Sequence, residues 1–221
     1  MDFVVSKLFE VLIAVFWFVA GESTDRLAGS FPFSGPYSVI GAAWIVFFLY
    51  WLVAAFTSKR TQKRQPSGQR LILLIYMVGA SSLLFEDRAD FGVLSHRFVP
   101  GLPWIAETGA VMAIAGVAFA IWARNHIGRN WSGMVTIKED HQLIRTGPYS
   151  RIRHPIYTGI LLAVLGSALA NGEYRSLLAF GLIAIGLAYK AKTEEMLLAE
   201  HFGSAFQEHK RLTGFFLPRL S

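Results

Sequence analysis

The fold class this sequence predicts is an all-α, polytopic membrane bundle of about six helices, with a C-terminal helical hairpin and both termini on the cytoplasmic side. Three observations predict it. Hydrophobic residues fill 53% of the 221 positions and charged residues only 16%, more apolar side chain than a water-soluble domain of this size can hide. The apolar residues gather into six runs bounded by Gly, Pro or charge. The segments between those runs alternate between positive and non-positive charge.

The first run, 4–20, carries Lys7 and Glu10 early and has no small-residue cleavage site near Gly21, so it reads as a membrane helix and not as a signal peptide. The second, 36–56, and the fourth, 103–123, are long enough to cross a bilayer core. The third (71–85), fifth (155–170) and sixth (175–190) are short for a full span, which implies local thinning or packing inside the bundle. Asn171-Gly172-Glu173 joins the last two runs, and so short a link forces an antiparallel hairpin. Gly159, Ala163, Gly166 and Ala170 on one arm, with Gly181 and Gly186 on the other, are expected to let the hairpin backbones approach closely.

Residues 57–70 hold five basic side chains (Lys59, Arg60, Lys63, Arg64, Arg70), 124–154 hold six basic against two acidic, and the tail 190–221 holds five against four. Segments 21–35, 86–102 and 171–174 each carry a net charge of −1. The positive-inside rule therefore sets both termini, and every polar segment of interest, on the cytoplasmic face of what reads as a bacterial inner membrane. The stretch from Arg60 to Arg70, with Pro66, Ser67 and Gly68, reads as a solvated loop. Residues 1–100 are expected to supply three membrane spans, and 101–221 a catalytic portion with a cytoplasmic loop, the hairpin and a terminal helix.

Several function classes are excluded. The net charge of +6 comes from clusters between apolar runs and not from one stripe, which argues against a nucleic-acid partner. The chain has no cysteine, and its histidines at 126, 141, 154, 201 and 209 form no helical His-x-x-x-His pair, so no metal site is expected. No Gly-x-Gly-x-x-Gly follows a strand, so a nucleotide-like cofactor would have to be held by helices and loops.

Two stretches carry chemistry. In Arg153-His154-Pro155, the proline lacks an N–H and fits the first turn of a helix, while it biases His154 toward the cap position. The positive end of that helix suits an anion, and Tyr157, Thr158 and Gly159 add hydroxyls and room; alternatively Arg151, Arg153 and His154 are interfacial anchors. In the second stretch, a sixth helix that continued past Lys190 would align Lys190, Glu194, Leu197 and His201 on one stripe. Glu194 and Glu195 then project about 100° apart, so only one can face a given pocket. Two carboxylates near the negative end of a helix call for a cationic partner, either a ligand or simply Lys190 and Lys192 on a solvated face.

The run IGRNWSGMVTIKEDHQLIRTGPYSRIRHPIYTG and the later KAKTEEMLLAEHFGSAFQEHK together resemble the isoprenylcysteine carboxyl methyltransferase family and the related phospholipid N-methyltransferases, over about residues 120–218. The resemblance implies an integral-membrane methyltransferase that uses S-adenosyl-L-methionine on a lipophilic, membrane-associated acceptor. By position it implies that the adenosyl part is held by His141, Gln142, Leu143 and Ile144, by Tyr149, and by His154, Pro155, Ile156 and Tyr157, with Thr136 contributing. The Glu194–Glu195 pair is implied at the methionine end, with Glu194 matching the binding glutamate. Lys190 stands where eukaryotic members carry an arginine that meets the substrate carboxylate; it keeps the charge but loses the planar two-point grip. Phe206 and His209 stand where the family usually has tyrosines.

Catalysis is then expected from Lys190 and Arg153, which orient a carboxylate acceptor, and from His154, or Tyr149, as base toward an amine or phenol. Two other classes fit the same apolar frame: an NADPH-dependent membrane reductase of the sterol-reductase type, whose members resemble this C-terminal region, and a lipid-binding or transport bundle.

Overall fold

The computed structural model describes residues 35–55, 61–64, 67–85, 90–128, 136–138 and 143–219, so the run 4–20 and the residues His141 and Gln142 lie outside the described part. Among the described residues six α-helices follow one another: α1 (Pro36–Ala55), α2 (Ser67–Phe85), α3 (Pro103–Ile127), α4 (Pro155–Asn171), α5 (Tyr174–Phe202) and α6 (Ser204–Leu212). The chain is a mostly helical membrane bundle. Helices α1, α3 and α5 are long and apolar enough to cross a membrane, while α4 and the apolar part of α2, Ile75–Phe85, are shorter. Large apolar side chains such as Val46, Leu49, Val53, Val111 and Ile185 remain exposed along these helices, which is stable only against lipid.

Two departures from the all-α expectation concern the polar segments. Strands β1 (Thr61–Arg64) and β2 (Thr136–Lys138) pair antiparallel, across an irregularity between Thr61 and Lys63. A basic four-residue stretch such as TQKR gives no apolar alternation, so only its distant partner makes it a strand. The loop read from Arg60 to Arg70 is correspondingly shorter, because α2 starts at Ser67.

The apolar run 175–190 is only part of α5. The helix has 29 residues, about 43 Å at a rise of ~1.5 Å, and so extends beyond a hydrocarbon core of ~30 Å. It continues unbroken through Glu194 and Glu195 and stops at Gly203.

Helices α3 and α4 pack closest. Gly109, Ala113, Gly116 and Ala120 of α3 meet Gly159, Ala163, Gly166 and Ala170 of α4, both sets at spacings of four and three. A Cβ on Gly159 would lie 2.6 Å from the Ala120 nitrogen and from the Gly116 oxygen, so the two backbones touch. This corrects the expectation that the stripe on α4 faces the other arm of the hairpin. On α5, Gly181 faces open space and Gly186 lies against Tyr76 and Met77 of α2. A stripe of small residues packs best against a second stripe of the same spacing, and α3 offers one where α5 does not.

The remaining helices lean on this pair. From α1, Trp44 Nε1 donates to Ser167 Oγ at 3.0 Å and the Tyr37 hydroxyl to the Ala170 carbonyl at 3.1 Å. From α2, the Tyr76 hydroxyl donates to the Leu182 carbonyl at 2.7 Å.

The α4–α5 hairpin has two ends. At the turn end, Gly172 takes a left-handed conformation (φ 68°) and its carbonyl accepts from the Phe98 N–H at 2.8 Å. At the opposite end stand the start of α4, the last turns of α5, helix α6 and the C-terminal tail.

Candidate functional site

Pro155 opens α4 at its first position, and His154 caps it with non-helical angles (φ −123°, ψ 58°). That much follows from the local sequence. The His154 side chain is not left at the surface, however; it is buried. Its ring stacks parallel on Tyr157 (centroids 5.6 Å apart, 6° between planes) and meets Phe215 and Phe216 edge-on at 5.1 and 6.3 Å.

The two ring nitrogens of His154 face the two glutamates of α5. Nε2 lies 3.3 Å from Glu195 Oε1, and Nδ1 lies 3.8 Å from Glu194 Oε2. The cap of α4 and the acidic turn of α5 therefore converge on one place. Beyond that the glutamates differ. Glu195, with a side chain only 8% exposed, accepts from Arg153 Nε at 2.6 Å and from Lys210 Nζ at 2.9 Å. Glu194, 21% exposed, accepts the Tyr157 hydroxyl at 2.6 Å, and among the described residues its ion-pair partner is the His154 ring alone.

Lys190, one turn before Glu194, is half-buried, with its ammonium 5.3 Å from the centroid of the Tyr157 ring. Arg153 is spent on the protein: besides Glu195, its Nη1 donates to the carbonyls of Lys210 (3.1 Å) and Thr213. Ile156 is buried in the core behind His154, next to the fully enclosed Pro155.

The loop before α4 forms the neighbouring wall. Ile144 packs against the core and Leu143 is half-buried. Tyr149 is buried in a short 3₁₀ turn, Gly147–Ser150. Gly147 has a positive φ (57°), and a Cβ there would lie 2.6 Å from the His126 ring, which is stacked over Tyr149. Burial pushes the Tyr149 phenol well up from its ordinary value, and the Glu194 carboxylate adds to this while Arg124 opposes it. Tyr149 is thus a neutral hydroxyl, poorly suited to taking a proton, which leaves His154 as the better-suited base of the two. Thr136 belongs to β2, which lies against α5.

Several contributors carry no motif in the sequence. The N–H groups of Arg153 and His154 donate to the carbonyls of Gly214 (2.9 Å) and Phe215 (3.3 Å), and the Gly214 N–H donates to the Arg151 carbonyl at 2.9 Å. The Thr158 hydroxyl donates to the Phe216 carbonyl at 2.6 Å. Arg145 ties the loop to α6 through the Ala205 carbonyl (2.5 Å) and Glu208 (3.4 Å). The aromatic pair Phe215-Phe216 was the one visible hint, since adjacent aromatics after a charged amphipathic helix imply something to cover.

The profile of the isoprenylcysteine carboxyl methyltransferase family matches residues 109–200. A protein-S-isoprenylcysteine O-methyltransferase of Schizosaccharomyces pombe is 31% identical over 189 residues, 78% of this chain and 80% of that one. A cobalt-zinc-cadmium resistance protein of Cupriavidus metallidurans is 34% identical over 121 residues, 53% of each, so this chain spans about half the length of that relative. The described residues contain no group of three or more His, Asp or Glu side chains that could hold a metal ion. In three dimensions the chain is similar to a eukaryotic intramembrane Ras methyltransferase, with a TM-score of 0.56 and 19% identity over 95% of this chain and 74% of that one. That likeness is one of fold.

Proposed function

The chain belongs to the isoprenylcysteine carboxyl methyltransferase family, and from that premise we propose that it transfers a methyl group from S-adenosylmethionine to a lipophilic, membrane-associated acceptor. The observation that carries the reading is Glu194: a half-buried carboxylate beside a tyrosine hydroxyl and an imidazole, with no Lys or Arg ion pair among the described residues. A carboxylate so placed fits a cationic ligand, and the ammonium and sulfonium of S-adenosylmethionine are such groups.

When bound, S-adenosylmethionine supplies a methyl group on positive sulfur, which an acceptor heteroatom takes while the electron pair of the broken C–S bond stays on sulfur. The residues of the chain do the rest. Glu194 holds the methionine end, and the Tyr157 hydroxyl keeps that carboxylate turned toward the site. Leu143, Ile144 and Tyr149 offer apolar and aromatic surface for the adenosyl part, with Thr136, His141, Gln142, Pro155 and Ile156 assigned to it by their positions in the motif alone. Lys190 orients an acidic acceptor; a carboxylate acceptor is already ionised at neutral pH and needs no base. For an amine or phenol, His154 takes the proton. Burial of the cluster excludes water from the reacting atoms. The acceptor arrives from the bilayer and the cofactor from the cytoplasm, with the polar end of the bundle facing inward across a bacterial inner membrane.

Isothermal titration on the purified full chain tests this. S-adenosylmethionine binds, Glu194→Gln abolishes binding, and NADPH does not bind. Binding of NADPH instead would establish a reductase, and binding of neither a lipid-binding or transport bundle. Incubation with methyl-labelled S-adenosylmethionine and total membrane extract, which holds both lipids and lipid-anchored proteins, then names the acceptor by its label.

A further inference from the structure

The tail beyond α6 lies outside the stretch matched by the family profile, which ends at residue 200. Yet it is hydrogen-bonded along the segment that leads into α4. The segments 151–154 and 213–216 run side by side: Ile152 and Gly214 form a parallel bridge, the carbonyls of Gly214 and Phe215 accept from the N–H groups of Arg153 and His154, and Gly214 returns a bond to Arg151. Thr158, one turn into α4, closes on the Phe216 carbonyl at 2.6 Å.

Arg153 and Glu195 form the hub of this contact. The guanidinium joins Glu195 to the carbonyls of Lys210 and Thr213, so it ties α5, α6 and the tail together. Glu195 in turn receives Arg153, Lys210 and the His154 ring. With three donors on one buried carboxylate, most of its about four lone-pair positions are committed to the protein. His154 is thereby fixed on four sides: its N–H by Phe215, Nε2 by Glu195, one face by Tyr157, and its edges by the two phenylalanines. The remaining atom, Nδ1, points toward Glu194.

We propose that the tail Thr213–Phe216 is a working part of the site, and that Arg153 and Glu195 act through it as positioning residues that hold His154 in place beside Glu194. Neither is assigned a catalytic role, since the charged groups of both are engaged by the protein itself. This rests on the methyl-transfer reading and reassigns two residues that the motif alone would give to cofactor and substrate. The physical gain is preorganisation, because an imidazole already fixed in place need not be ordered as the transition state of the transfer step forms.

The test separates affinity from turnover in the full chain. Glu195→Gln is expected to bind S-adenosylmethionine within about threefold of wild type, while label transfer to total membrane extract at saturating S-adenosylmethionine falls on the order of tenfold to a hundredfold. Phe215→Ala, which alters no charged residue although the ring also lies under the Arg153 guanidinium, is expected to show the same split, and Phe215→Leu, which refills the contact, to restore most of the rate. A folded Glu195→Gln protein that has lost S-adenosylmethionine binding would overturn the proposal, because Glu195 would then be a cofactor contact. Turnover within twofold of wild type in either Glu195→Gln or Phe215→Ala would also overturn it. Should Glu195→Gln fail to fold, the Phe215 pair decides alone. A wild-type chain that binds no S-adenosylmethionine would instead remove the underlying functional reading, and that is seen before any variant is made.

Discussion

Each end of the α4–α5 hairpin ties an arginine to a glutamate and to backbone carbonyls, and the two ends leave different remainders. At the turn end, Arg175 pairs with Glu173 and donates to the Leu83 carbonyl at 3.1 Å. Asn171 and Arg97 cap neighbouring carbonyls there as well, Asn171 that of Leu84 at 2.8 Å and Arg97 that of Asn171 at 2.9 Å. At the opposite end, Arg153 and Glu195 form a closed set of the same kind. Glu194 stays outside it, facing a hydroxyl and an imidazole. A closed set of buried charges holds helices together and has nothing left to offer a ligand. An extra carboxylate beside such a set costs stability until a cation meets it, which is the arrangement expected of a binding site.

The contrast can be broken at its sharpest point by Glu194→Gln. Removing the acidic half of a partly buried charge contact costs about 2–5 kcal/mol, so titration should read a loss of S-adenosylmethionine affinity of roughly thirtyfold or more. The thermal unfolding midpoint in detergent should hold or rise, since no ion pair to Lys or Arg is lost. A fall in midpoint with affinity intact would mean that Glu194 belongs to the structural set after all.

The frame that carries both ends is the α3–α4 contact, and Gly159→Leu tests it. The added side chain must enter backbone already in contact, with overpacking costs of about 1–3 kcal/mol or more. Reduced thermal stability and weakened S-adenosylmethionine binding should appear together. The same substitution at Gly181, which faces open space, should leave both unchanged.

Glu173→Gln sharpens the comparison from the other side. It takes the Glu173 charge away from Arg175 at the turn end, at a cost of about 2 kcal/mol in stability, read as a lower unfolding midpoint. S-adenosylmethionine affinity should stay within twofold, because the Glu173–Arg175 pair lies at the end of the hairpin away from Glu194. A large loss of affinity would couple the two ends more tightly than their separate networks suggest.

The smallest expected effect is one of pH. Burial pushes the His209 imidazole below its ordinary value, with the guanidiniums of Arg145 and Arg153 acting in the same direction and Glu195 against it. A histidine whose folded pKa lies below its unfolded value of about 6.5 disfavours folding once protonated. Its contribution is therefore intact above that pH and is lost as pH falls below it toward the folded value. The drop in unfolding midpoint between pH 7.5 and 5.5 should be smaller in His209→Gln than in wild type. Equal drops in both would show that α6 is docked without regard to that group.

Much of the frame was legible in the sequence because it depends on local quantities. Apolar run length gives a membrane helix, a proline after His154 gives a helix start, and Gly172 gives a tight turn; the structure has all three. The stripe of small residues on α4 was legible as a close-packing face, but its partner was not, since small side chains report how near a neighbour comes and not which neighbour it is. The β1–β2 ribbon was illegible for a related reason, in that its pairing joins segments some seventy residues apart with no apolar alternation in either. The tail contact was hidden because backbone carbonyls do its work, and every residue has one.

By itself the sequence determined that this chain enters a membrane as helices, and that a histidine cap and a pair of adjacent glutamates stand at the polar end of its last hairpin. It also determined that those glutamates point in different directions, because a helix turns each residue about 100° from the last. Only the tertiary structure decided which one is tied to Arg153 and Lys210 and which faces a hydroxyl and an imidazole. Two neighbouring glutamates are locally identical in chemistry, and what separates them is the rotation of α5 against α4 and the tail, a quantity set by packing across the whole bundle.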